Sequence, residues 1–392
     1  MDLFEIMARF SIPRPNQSQA LDETAKYIKT LLTGWGVPFT GQEFVLRPYM
    51  QLILGIAVLL LAILLCIFII KKKPVLALIA ALAIPLLLIV EFEMFIPIAT
   101  GLVTKTGENI IVNYTVPNPA RELMFAAHYD SKTDFWDHIQ RDRIFYFIPI
   151  ALAVGMALAI FAFFTRKYAV LKKKAVTAVT LTLAGMLIIY WGLIFIGFGG
   201  YIFIPPERQS YGSVDDGASA VALLALSKDI HDGKVNLGNS NVTIIFTSGE
   251  EVTLQGADRY VGERFMKGAK SALPASLVNV ESAGQNGPMI YWKRDGVFLI
   301  YYYADADLIS RLGKAWKEVS GTAMEQRDKL TDDAQRFMAA GIPAITIGNS
   351  GLPGLGEVAL HSTKDNIERV NIDNLKLMIK ALESYIEGYN TR

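Results

Sequence analysis

The sequence predicts an α/β fold, a mixed sheet with helices covering both faces, interrupted by two transmembrane helical hairpins. Three observations lead there. The composition is too apolar for a soluble chain, the apolar excess falls into four separate runs, and the polar segments between the runs alternate strand and helix patterns. Apolar types make up 52% of the 392 residues and charged types 19%, a departure from the soluble norm toward membrane proteins. The runs are Met50–Ile70, Pro74–Val90 with a tail to Ile98, Ile144–Phe164 and Ala175–Ile204. Buried core helices commonly show apolar runs of about 10 to 14 residues, and these are longer. Glu91 and Glu93 interrupt the tail of the second, which a position near the membrane interface would tolerate.

In residues 1–48, Leu21, Ala25, Ile28 and Leu32 recur at helical spacing within 17–33 and stop before Gly34, and Val37–Leu46 follows as a strand. Residues 49–98 form the first hairpin. In residues 99–143, Asn109–Tyr114 and Leu123–Ala127 read as strands, the second too apolar to be exposed on both faces. The second hairpin takes 144–204. Residues 205–392 then supply a helix at Val221–Ile230, strands at Val242–Thr247 and Leu277–Val280, a helix at Leu308–Val319, a strand at Ala344–Ile347 and a closing helix at Ile372–Ile386. Strands alternating with helices imply one sheet, and no polar piece is complete alone, so the pieces are expected to join in one domain.

Orientation follows from Lys and Arg, which collect in short cytoplasmic loops. Lys71, Lys72 and Lys73 join the first two spans, and Arg166, Lys167, Lys172, Lys173 and Lys174 join the last two. Both links, 71–73 and 165–174, are expected in the cytoplasm, and the polar domain, Gly217 included, on the opposite side. The net charge of +1, with no basic run interleaved with aromatics, excludes nucleic acid as a partner. Cys66, inside the first span, is the one cysteine, so neither a disulfide framework nor a Cys-based zinc site is possible. The first residues lack the charged and apolar regions of a signal peptide, so the spans themselves are expected to drive insertion.

Ligands of open α/β sheets gather at the carboxyl ends of strands. Here Leu123–Ala127 runs into His128, Tyr129, Asp130 and Ser131; Val242–Thr247 runs into Ser248, Gly249, Glu250 and Glu251; Leu277–Val280 runs into Glu281. Ser213 to Ser219, with Asp215 and Asp216, precedes one helix, and His361 to Asp365 precedes the last. Singly, such pairs are usually solvated surface or helix caps. Together they form a nitrogen and oxygen donor set suited to zinc, with a spare carboxylate to move protons. Two of the four histidines fall in it.

In the order of these motifs the chain resembles the zinc-dependent exopeptidases with paired co-catalytic metals, which include aminopeptidases, glutamate carboxypeptidases and the related glutaminyl cyclases. The resemblance covers roughly residues 17–48, 100–135 and 210–388. It implies a zinc-peptidase α/β/α sandwich holding two zinc ions. His128 would bind one metal, with Asp130 orienting its ring, and Asp215 would bridge both, followed by a cis peptide to Asp216. Glu281 would complete the first set, Glu251 and His361 the second, and Glu250 would be the general base. Glu281 stands where Asp is frequent, and Thr253 and Ala257 where Gly and Ser are common. A hairpin separates His128 from Asp215, 87 residues apart here against a short loop in soluble relatives.

The resemblance thus implies a membrane-bound zinc metallopeptidase, an aminopeptidase before other exopeptidases, acting on peptides. Two other functions fit parts of the pattern. His128 to Lys132 also resembles the glutaminyl cyclase branch, and a silent scaffold or receptor could keep the fold, although such proteins typically lose ligands. The spans make the lipid bilayer a partner. Ile144 follows His128 by sixteen residues and Ile204 precedes Asp215 by eleven. At no more than about 3.6 Å per residue, these tethers predict a site near the membrane surface and hydrophobic or membrane-tethered substrates. Tyr301, Tyr302 and Tyr303 are assigned no role.

Overall fold

The computed structural model describes residues 2–165, 174–266, 273–297, 299–351 and 360–389. The chain divides into two compact units, one of residues 1–48, 104–133 and 206–392, the other of residues 49–103 and 134–205.

The first unit opens with α1 (Leu3–Phe10), an eight-residue helix capped by Asp2 that buries Leu3, Ile6, Met7 and Phe10. The helix α2 (Gln19–Gly34), capped by Ser18, buries Leu21, Ala25, Ile28 and Leu32, the stripe read from the sequence. Nine strands form one sheet: β1 (Phe39–Leu46), β2 (Lys105–Tyr114), β3 (Arg121–His128), β4 (Ser240–Thr247), β5 (Ala275–Val280), β6 (Met289–Asp295), β7 (Tyr302–Tyr303), β8 (Glu325–Leu330) and β9 (Ala344–Asn349). Their order is β1-β2-β4-β3-β5-β9-β6-β7, with β8 also paired to β6. The central strands β4, β3, β5 and β9 run parallel, β1 and β2 pair antiparallel to their neighbours, and β6 pairs antiparallel to β9 and β7 but parallel to β8. The sheet is therefore mixed, as expected.

Alternation along β3 shows both faces covered. Leu123, Phe125 and Ala127 pack with α1, α2, α8 (Ser219–His231), α10 (Ala306–Ser320) and α12 (Ile372–Glu387); Met124 and Ala126 pack with α9 (Gln255–Val261) and α11 (Ala334–Ala339). Each insertion leaves the unit where its flanks already meet. Leu46 pairs with Lys105 across β1 and β2, and Ser210 N donates to Thr133 Oγ1 at 2.9 Å. A hairpin can be inserted at such a point without separating paired strands.

The second unit contains α3 (Met50–Ile70), α4 (Pro74–Leu88), α5 (His138–Tyr146), α6 (Ile148–Thr165) and α7 (Lys174–Gly199). With their continuations, four helical stretches are long and apolar enough to cross a membrane: Met50–Ile70, Pro74–Glu93, Gln140–Thr165 and Lys174–Phe203. Gly55 lets α3 approach α7 closely, since a Cβ there would stand 3.4 Å from the Phe195 backbone. The Glu91 carboxylate is tied down locally, accepting from the main-chain N–H of Ile98, Ala99 and Thr100 and from the Thr100 hydroxyl. Of the expected basic link 165–174, Arg166, Lys167, Lys172 and Lys173 lie outside the described residues.

Candidate metal centre

The parallel strands deliver the cluster. His128 ends β3, directly opposite Thr247 of β4, so Glu250 and Glu251 follow one short turn beyond the same edge. Glu281 follows β5. Asp215 and Asp216 lie in the irregular segment Ser213–Ala218 that leads into α8, joined by a cis peptide.

The sequence-predicted residues meet. His128 Nε2 lies 3.2 Å from Asp215 Oδ1 and 3.7 Å from Glu281 Oε2. His361 Nε2 lies 3.0 Å from Asp215 Oδ2 and 2.9 Å from Glu251 Oε1. Glu250 Oε2 stands 3.8 Å from His128 Nε2 without replacing either neighbour. All of these side chains are at most a tenth exposed. Asp130 sits behind them. Its carboxylate is 3.5 Å from His128 Nδ1 and accepts from the main-chain N–H of Glu250 and Glu251, so it steadies both the ring and the glutamate turn. The ring nitrogen is also 3.2 Å from the Asp130 carbonyl oxygen.

His128, Asp215 and Glu251 present ligand atoms close enough to share an ion, as do His128, Asp216 and Glu281. The two oxygens of Asp216 are already committed, accepting from Ser282 N at 3.0 Å and His128 N at 3.2 Å. Asp216 thus clips two strand ends together and is the weaker ligand. Glu281 Oε2, in contrast, is buried with no hydrogen-bond partner among the described residues. An orphaned carboxylate oxygen among imidazoles and carboxylates is the environment a cation satisfies, and the nitrogen and oxygen donors fit zinc.

Burial and crowding set the proton affinities. Burial opposes charge on His128, but the carboxylates of Glu281, Asp130, Asp215 and Glu250 outweigh it and raise the imidazole well above its ordinary value. Burial, with help from Glu251, Asp333 and Glu281, pushes Glu250 well up, the direction a proton-transferring carboxylate needs. Burial also carries Glu281 to about 8. Asp215 goes the other way, because His361 and His128 overcome the burial penalty.

Several buried residues received no role from the sequence. Asp365 accepts from Val214 N at 2.7 Å and Asp215 N at 3.3 Å, holding the Asp215 segment. Its place four residues after His361 was the available signal. Asp332 N donates to Asp295 Oδ1 at 3.2 Å, and Asp333 accepts from Thr247 Oγ1; burial carries Asp332 to about 6 and Asp333 to about 7. Arg14 and Asn16 reach the site from the segment between α1 and α2, and only the flanking Pro13 and Pro15 marked that stretch as unusual. Thr253 takes a φ of +77°, the left-handed region that glycine, the residue the resemblance led one to expect there, enters freely.

With a peptidase family model matching the stretch that supplies most of this buried donor cluster, the chain is a zinc-dependent metallopeptidase. Residues 200–386 match the model of Peptidase family M28, a stretch that includes Asp215, Glu250, Glu251, Glu281 and His361. The resemblance drawn from the motifs is thereby borne out. A leucine aminopeptidase precursor from Bacteroides thetaiotaomicron is similar, with a TM-score of 0.55 at 15% identity over 100% of this chain and 96% of that one. A Zn-dependent exopeptidase from Parabacteroides distasonis gives 0.56 at 14% identity, over 100% and 97%. A glutaminyl cyclase from Fimbriiglobus ruber gives 0.57 at 11% identity, over 98% and 93%. No curated protein matches the sequence.

Proposed function

We propose that the chain is a membrane-bound exopeptidase, an aminopeptidase in the first instance, working with two zinc ions. The observation that carries this reading is the placement of Asp215 between two histidines, each with its own glutamate: His128 with Glu281, and His361 with Glu251. His128, Asp215 and Glu281 would hold one ion, and Asp215, Glu251 and His361 the other. Zinc held by these residues would supply a water of lowered pKa and a Lewis acid for the scissile carbonyl. Glu250 takes a proton from the water as its oxygen adds to the carbonyl carbon, then returns it to the amine as the C–N bond breaks. Asp130 keeps His128 and the glutamate turn in place.

The four apolar helices would form two membrane hairpins with residues 71–73 and 165–174 in the cytoplasm and the peptidase unit on the other side. Short tethers from His128 to the third span and from the fourth span to Asp215 support a site near the bilayer surface and substrates presented there. Glutaminyl cyclase chemistry is the second reading, favoured by the His128 to Lys132 motif and the cyclases among similar structures. A panel of aminoacyl, N-capped and amino-terminal glutaminyl peptides separates the two. Release of free amino acid from unblocked peptides supports the aminopeptidase; pyroglutamyl product without hydrolysis would replace it with the cyclase.

A further inference from the structure

Arg14 lies between α1 and α2, in a segment that supplies no residue of the metal cluster, yet it is completely buried. Its side chain donates to backbone carbonyls from three directions. Nε reaches Tyr129 O at 2.8 Å; Nη1 reaches Tyr211 O at 2.9 Å, Ile12 O at 3.1 Å and Phe10 O; Nη2 reaches Gly212 O at 2.9 Å. The main chain adds two bonds, Arg14 N to Ser131 Oγ at 2.9 Å and Ser131 N to Arg14 O at 3.1 Å. Two residues on, Asn16 Nδ2 donates to Asp130 Oδ2 at 2.6 Å.

One short segment therefore grips both loops of the site, the turn from His128 to Ser131 and the stretch from Tyr211 to Asp215. These are the two flanks of the second insertion, so no short covalent connection fixes their register. Gly212 makes room for the grip: at a φ of +58° a Cβ there would stand 2.5 Å from Ser131 Cβ and 3.0 Å from Arg14 Nη2. Burial lowers the guanidinium to about 10 against the attraction of Asp365, Asp130, Asp216 and Asp215, which leaves it charged at neutral pH and able to offset part of the carboxylate repulsion.

We propose that Arg14 and Asn16 form a positioning clasp that sets the spacing between His128 and Asp215 and so tunes zinc affinity. The planar five-donor fork suits carbonyls arriving from several sides, and lysine cannot reproduce it. Neither residue is catalytic; both act through Asp130 and the Asp215 loop. The clasp rests on the zinc reading of the site.

The test uses the full chain in detergent, with zinc affinity measured by competition against a chromogenic chelator and kcat/KM measured alongside. Arg14→Lys and Asn16→Ala are compared with wild type and with Leu312→Ala, a change to a buried apolar α10 residue that is no member of the metal cluster. Arg14→Lys and Asn16→Ala are expected to weaken zinc binding by about 10- to 100-fold, as changes behind metal ligands do, with activity partly restored by excess zinc. Leu312→Ala should lower thermal stability and leave zinc affinity unchanged. Zinc affinity in Arg14→Lys equal to wild type, or reduced no more than in Leu312→Ala, would overturn the clasp. Should Arg14→Lys not fold, Asn16→Ala decides by the same criterion. A wild-type chain that binds no zinc would overturn the metal reading and the clasp with it, whereas zinc bound equally by wild type and variants removes the clasp alone.

Discussion

His361 Nε2 stands 3.0 Å from Asp215 Oδ2, on the carboxylate oxygen opposite the one that faces His128. If Asp215 is shared between two ions, Asp215→Asn should strip zinc from both positions, while His361→Ala should lower the content by one ion. Elemental analysis of the purified variants reads the difference. Loss of the same amount of zinc in both would contradict the bridging role.

Zinc that binds the folded chain alone stabilises it by mass action, by about 4 kcal/mol when the free ion exceeds its dissociation constant 1,000-fold. Chelation should therefore lower the thermal midpoint of the wild type and leave that of Asp215→Asn almost unmoved. Equal shifts would place the zinc elsewhere.

Lys72 and the peptidase unit should lie on opposite sides of the membrane. Gly217 is buried, so Lys234, exposed three residues beyond α8, is the better reporter. With Cys66 replaced, single cysteines at 72 and 234 are labelled in sealed vesicles with an impermeant reagent. Reaction of both from the same side would refute the orientation.

Matched peptides with and without an acyl chain test whether substrates arrive along the bilayer. In nanodiscs the acylated peptide should show the higher kcat/KM, and the advantage should shrink in detergent. Equal values in nanodiscs would leave the hairpins as anchors and the peptidase chemistry untouched.

The candidate cluster was legible because its residues follow strongly patterned strands: β3, β4 and β5 are apolar runs that lead into His128, Glu250 and Glu281. The four long apolar helices were legible from their length and composition. Other elements carried less. The strand β8, with the sequence EQRDKL, joins the sheet through backbone pairing to β6 and exposes its charged side chains, so no apolar alternation marks it. The helix α1 did hold a signal, Asp2 before Leu3, Ile6, Met7 and Phe10, but it is only eight residues long. Arg14 and Asp365 also bond partners more than 100 positions away, and the prolines beside Arg14 and the place of Asp365 after His361 mark the positions without encoding those contacts.

Zinc-dependent hydrolysis with Glu250 as the base stands or falls on Glu250→Gln. The exchange keeps the size of the side chain and removes the proton acceptor, while Asp215, Glu251, Glu281, His128 and His361 stay in place. Zinc content and peptide hydrolysis are measured together on the same preparation. The expected result is zinc at the wild-type level with kcat reduced at least about 100-fold, the scale of general acid–base catalysis. Wild-type hydrolysis by this variant, or a wild-type chain that hydrolyses peptides without bound zinc, would contradict it.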